Sequence, residues 1–105
     1  MTTAEIGYAG ERHVEAWLRS KNYVCHPKAA DSSDIEGIGT TGSVLVRVMT
    51  GQAPNAAPEI SAEERLSLIE RAAKLGRTAY LARVQIDERG RLLGTIGWTR
   101  LPGAT

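Results

Sequence analysis

Asp34-Ile-Glu-Gly-Ile-Gly-Thr-Thr-Gly-Ser-Val-Leu-Val-Arg-Val-Met49 is the stretch that decides the fold. It reads as a β-hairpin. Asp34 to Ile38 makes one strand and Ser43 to Met49 the next, with Gly39-Thr40-Thr41-Gly42 turning between them. The two glycines supply the positive φ that a tight reversal needs. Alternation then sorts the side chains, placing Val44, Val46 and Val48 on one face and Leu45, Arg47 and Met49 on the other. Asp34 and Glu36 share a face as well. An acidic pair on one strand beside an arginine on its neighbour has the make-up of a site, or of what is left of one.

Upstream of the hairpin the pattern is helical. Thr2 with Glu5 three residues later resembles a capping box and starts a helix from Thr3 to Ser20. Ile6, Gly10, Val14 and Trp17 fall at helical spacing, as do Gly7, Glu11, Val14 and Leu18, and together they give a broad inward face. Gly7 and Gly10 each cost ~1 kcal/mol relative to alanine in a helix, so close approach of the helix to a sheet is the expected use of both. Glu11 sits at the border of this stripe, while His13 falls outside it and is expected at the surface. Lys21-Asn22 ends the helix, with asparagine suited to a left-handed cap. Tyr23 to His26 is a short strand closed by Pro27, and Lys28 to Ser33 is a polar loop.

Downstream, Thr50 to Glu59 carries glycine, two prolines and small residues, and reads as a long loop. Ser61 to Glu64 forms a second capping box. The helix after it shows an apolar stripe of Leu66, Ile69 and Ala73, with Ala72 and Leu75 alongside, and Gly76 stops it. Thr78 to Ile86 and Arg91 to Trp98 are strands around the turn Asp87-Glu88-Arg89-Gly90. The tail 101–105, with Pro102-Gly103, is expected to fray. The order is α-β-β-β-α-β-β, which predicts one α/β domain over residues 1–105 with a central mixed sheet flanked by helices.

Composition narrows the function classes. The chain has 105 residues, a formal net charge of +1 and one cysteine. One core is the expectation at this length. A near-neutral balance gives no general reason to bind nucleic acid, so such binding has to rest on a local patch. A single cysteine, Cys25, excludes an intramolecular disulfide and a cysteine-rich zinc site. No apolar run reaches the ~20 residues of a membrane-spanning helix, and the N-terminus lacks a secretory pattern, so a cytoplasmic chain without membrane partners is expected. His26 adjoins Cys25, but neighbours on a strand point to opposite faces and do not chelate together. The glycines of the hairpin precede a strand, not a helix, and form no phosphate cradle.

Four motifs together carry a resemblance. These are Gly7-Tyr8-Ala9-Gly10-Glu11 in the first helix, Asp34-Ile35-Glu36-Gly37, Val46-Arg47-Val48-Met49-Thr50, and a helix running from Ile60-Ser61 to the Ala72–Gly76 segment. In this order and spacing, over roughly residues 6 to 86, the chain resembles the restriction-endonuclease-like, or PD-(D/E)xK, nuclease superfamily. The likeness is nearest to archaeal Holliday-junction resolvases and small bacterial nuclease-like proteins. The resemblance implies a restriction-endonuclease-like core and Mg²⁺- or Mn²⁺-dependent cleavage of DNA. The strand Asp and a Glu on the next strand would hold the metal, the helix Glu would assist, and a Lys would serve the attacking water.

The match fails where the chemistry lies. The family's ligand Glu aligns with Arg47 and its Lys with Met49. Hard cations need several oxygen ligands, which a guanidinium does not offer. The expectation is therefore a remnant site of Glu11, Asp34, Glu36 and Arg47 that needs no cofactor, with Arg47 taking the place of the metal and pairing with Asp34 and Glu11. Such a chain would act as a DNA-binding or accessory module, with Arg12, Lys28, Lys74 and Arg77 as the candidate nucleic-acid contacts. A second copy, paired through the last two strands, is the other partner considered. The alternative is an active, divergent, Holliday-junction-resolvase-like endonuclease that uses Glu11, Asp34 and Glu36, with Glu36 replacing the missing ligand.

Overall fold

A computed structural model describes residues 1–26 and 34–103. The elements follow in the order α1 (Thr3–Ser20), β1 (Val24–His26), β2 (Asp34–Ile38), β3 (Ser43–Gln52), α2 (Ala62–Leu75), β4 (Thr78–Ile86) and β5 (Leu92–Arg100). They form one five-stranded sheet in chain order, β1-β2-β3-β4-β5. Neighbouring strands are antiparallel except β3 and β4, which run parallel. A parallel pair requires a crossover, and α2 supplies it. The chain is thus an α/β protein with a mixed sheet.

Period-two alternation on β3 divides the core. Val44 and Val46 pack with Val14 and Leu18 of α1, together with Ile35, Ala82, Val84 and Ile86. Leu45 faces the other way and packs with Leu68 and Ala72 of α2, together with Ala79, Leu81 and Leu101. One helix therefore covers each face of the sheet. The hairpin register sets Asp34 opposite Arg47 and Glu36 opposite Leu45, so all four side chains lie on the α2 face.

The capping signals act as their chemistry dictates. Thr2 and Glu5 bond reciprocally at the start of α1, and Asn22 takes a positive φ of 68° after its end. Gly76 ends α2 in the left-handed conformation. The two helix-one glycines differ, however. A Cβ on Gly10 would lie 1.8 Å from Thr50 Oγ1, so this glycine is what lets α1 seat on β3. A Cβ on Gly7 would meet nothing within 4 Å, so close packing does not account for Gly7.

Several expectations need correction. The buried residues of α2 are Leu68 and Ala72, whereas Leu66 and Leu75 are half exposed and Ala73 is exposed. Ile69 and Ala72 do pack on the core as expected, but Leu66, Ala73 and Leu75 do not, because the crossover's seat on the sheet, and not apolar spacing alone, selects the inward face. Strand β3 runs to Gln52, not Met49, because its parallel pairing with β4 continues through Gln52 opposite Ile86. Strand β5 continues to Arg100, and the tail does not fray at Leu101. That side chain is 2% exposed within the α2-face core, and its N–H donates to the Ala79 carbonyl at 2.9 Å. His13 is not a plain surface residue, since its Nε2 donates to the Gly90 carbonyl at 2.8 Å and ties α1 to the β4–β5 turn.

Candidate functional site

The site begins with the cross-strand pair that the hairpin dictates. Asp34 opens β2 with its side chain 2% exposed, and Arg47 lies directly across from it on β3. Arg47 Nε donates to Asp34 Oδ1 at 2.7 Å. A nearly dry carboxylate is costly unless it is paired and hydrogen-bonded, and a guanidinium opposite meets both needs.

Helix α2 completes the arrangement. Arg47 NH1 donates to Glu64 Oε2 at 2.7 Å, so one guanidinium joins two carboxylates from two elements. Arg71, two turns further along α2, donates through NH2 to Asp34 Oδ2 and through NH1 to Ser67 Oγ at 2.7 Å. Each oxygen of Asp34 thus receives a guanidinium N–H. With Glu64 added, two arginines face two carboxylates among the described residues. Burial works to lower the pKa of Arg47, but the hydrogen bonds and charges of Asp34 and Glu64 outweigh it and raise the group above its ordinary value.

Glu64 also explains a departure at the start of α2. Ser61 Oγ accepts from the Glu64 N–H at 3.1 Å, which is half of the expected capping box. The other half would return the Glu64 carboxylate to the Ser61 backbone. Instead Oε2 goes to Arg47, and Oε1 accepts from Ser61 Oγ at 3.2 Å. The helix has lent its capping carboxylate to the sheet.

The remaining candidates divide. Glu36 is not beside Asp34 as a second free ligand, because it accepts from Arg77 Nε at 3.1 Å. Arg77 NH1 also donates to the Leu75 carbonyl, so this arginine is held by the fold and not extended toward solvent. Glu11 is half-buried on α1, the helix of the opposite face, and is not among the partners of Arg47. Glu64 holds the place expected of it. Arg12 is exposed and donates to the Tyr8 hydroxyl at 3.2 Å. Lys74 is exposed in the last turn of α2, and Lys28 lies outside the described residues. Met49 stands beside Arg83 of β4, whose guanidinium is drawn away to the Ala57 carbonyl at 2.8 Å and to Glu59 at 3.1 Å.

Sequence reasoning named Asp34 and Arg47 but missed Glu64 and Arg71. Their signal was present, because Ser61, Glu64, Leu68 and Arg71 follow one helical stripe at spacings of three and four. Two polar ends on either side of a buried leucine mark a face that crosses a polar strip of the sheet.

A divalent ion would fit poorly here. Both oxygens of Asp34 already accept from guanidinium groups, and the other carboxylates, Glu36 and Glu64, are engaged by Arg77 and Arg47. Among the described residues no group of three His, Cys, Asp or Glu side chains is placed to hold a metal. Nor, among them, is any helix long and apolar enough to cross a membrane. No family model matches the chain, and no curated protein matches it.

Proposed function

We propose that this chain is a restriction-endonuclease-like module that has lost metal-dependent phosphodiester hydrolysis and serves as a non-catalytic DNA-binding or accessory module. The observation that carries the reading is Arg47 between Asp34 and Glu64, with Arg71 closing the second oxygen of Asp34. Metal-assisted hydrolysis needs open carboxylate oxygens on a cation that stabilises developing charge. In this chain a fixed guanidinium meets that carboxylate. The αβββαβ order of elements and the position of Asp34 at the start of β2 support the ancestry.

A role in DNA binding draws on the exposed cations Arg12 and Lys74, because contacts to phosphate come from solvent-facing Lys and Arg. Arg77, held by Glu36, contributes less. The test is a band shift with branched and linear DNA at low and moderate salt, run in parallel with Mn²⁺ incubation of the same substrates. A salt-sensitive shift with no strand cleavage is expected. Cleavage abolished by Asp34→Ala would replace this reading with that of an active, divergent endonuclease.

A further inference from the structure

Beyond the carboxylate–arginine cluster, an aromatic groove opens on the opposite, α1 face of the sheet. It has a volume of about 280 Å³ and is lined by Trp17, Leu18, Tyr23, Val44, Tyr80 and Trp98. Four of these are aromatic, and three of the rings touch one another. Trp17 and Trp98 lie 4.7 Å apart between centroids at 43°, and Tyr80 meets Trp98 edge-on at 6.1 Å. Trp17 is 39% exposed, so an indole of the kind cores normally cover stands at the mouth. The indole Nε1 of Trp98 is buried and, among the described residues, has no hydrogen-bond partner.

A cation stands at the mouth. Lys21 Nζ sits 5.6 Å from the Trp17 ring centroid. A cationic ligand would meet Lys21 at the mouth, and a second copy would set lysine against lysine. A planar aromatic ligand that carries negative charge suits both features.

We infer that this groove binds single-stranded nucleic acid, with a base stacked on the Trp17–Trp98–Tyr80 wall and its phosphate at Lys21. Sequence-tolerant single-strand binding combines these two parts, an aromatic platform and a flanking cation. The inference rests on the nucleic-acid reading proposed above and adds to it the site and the strandedness.

Trp17 and Trp98 are the chain's only two tryptophans, so tryptophan fluorescence, excited selectively over tyrosine, reports on this groove. The probe is a short oligothymidylate titrated into the full chain, with a duplex of equal length as comparator. Quenching by the single strand is expected, together with affinity about tenfold weaker in Trp17→Ala and restored in Trp17→Phe. Lys21→Gln should lower the slope of log affinity against log salt by about one. Binding without quenching, and with Trp17→Ala unchanged, would overturn the groove assignment and leave the DNA-binding reading standing. No binding to either probe would overturn both. Fluorescence that changes with protein concentration alone, with a dimer in sedimentation, would give the groove to a second copy and overturn the assignment.

Discussion

At the scale of single residues, Asp34 and Arg47 depend on one another. The carboxylate is almost wholly buried and its partner's side chain is 14% exposed, so neither has water to fall back on. Removing one member of a buried pair leaves the other charge uncompensated, at a typical cost of 3–5 kcal/mol. Arg71 retains one oxygen of Asp34, which places Arg47→Met lower, at about 2–3 kcal/mol of destabilisation by urea unfolding. Glu64 is half exposed, and Glu64→Gln should cost under ~1 kcal/mol. Equal losses from the two variants would mean that the buried pair holds nothing that the surface pair does not. The pairing of Asp34 with Arg47 was legible in the sequence, because a short turn and strict alternation fix who faces whom; the positive φ expected of Gly39 and Gly42 is not found, and Gly39 is needed instead because a Cβ there would meet the Gly42 carbonyl at 2.5 Å and the Tyr23 ring at 2.8 Å. Arg71 and Glu64 were not, because no local rule says which side of a crossover helix meets the strip of sheet beneath it.

At the scale of elements, α1 seats on the sheet through a single missing methyl group. Gly10 lies against Thr50, while Gly7 has open space where a Cβ would be. Gly7→Ala should therefore stabilise the chain by about 1 kcal/mol through helix propensity alone. Gly10→Ala gains the same propensity but drives a carbon into Thr50, and overpacking of that kind costs about 1–3 kcal/mol. Thermal unfolding of the two variants should move in opposite directions. A shift of the same sign in both would show that α1 does not rely on that contact. The termini of this helix could be read from Thr2, Glu5 and Asn22, whose chemistry is local. The separate uses of its two glycines could not, since both fall on the same stripe. For α2 the caps at Ser61 and Gly76 were equally legible, yet the apolar stripe was read only in part, with Ile69 and Ala72 placed on the core and Leu68 missed. Leu66 and Ala73 satisfy helical spacing with Ile69 as well as Leu68 and Ala72 do, and only the sheet decides between them.

At the scale of the whole molecule, one sheet separates two surfaces of different chemistry. Behind α2 lie the paired charges of Asp34, Arg47, Glu64 and Arg71, closed on themselves. Beside α1 lie the rings of Trp17, Tyr80 and Trp98 with Lys21 at the rim. The element order and the mixed sheet were readable because each strand and helix carried its own punctuation, while which strands pair in parallel was not. The extent of β3 and the burial of Leu101 were not, because both are settled by partners distant in sequence. The guanidinium of Arg47 holds the Asp34 carboxylate that, under the function proposed above, once held a metal ion. Calorimetric titration of the chain with Mn²⁺, beside Asp34→Ala, is the decisive measurement. No saturable heat that depends on Asp34 is expected, and tight binding that vanishes in Asp34→Ala would refute the replacement of metal by Arg47.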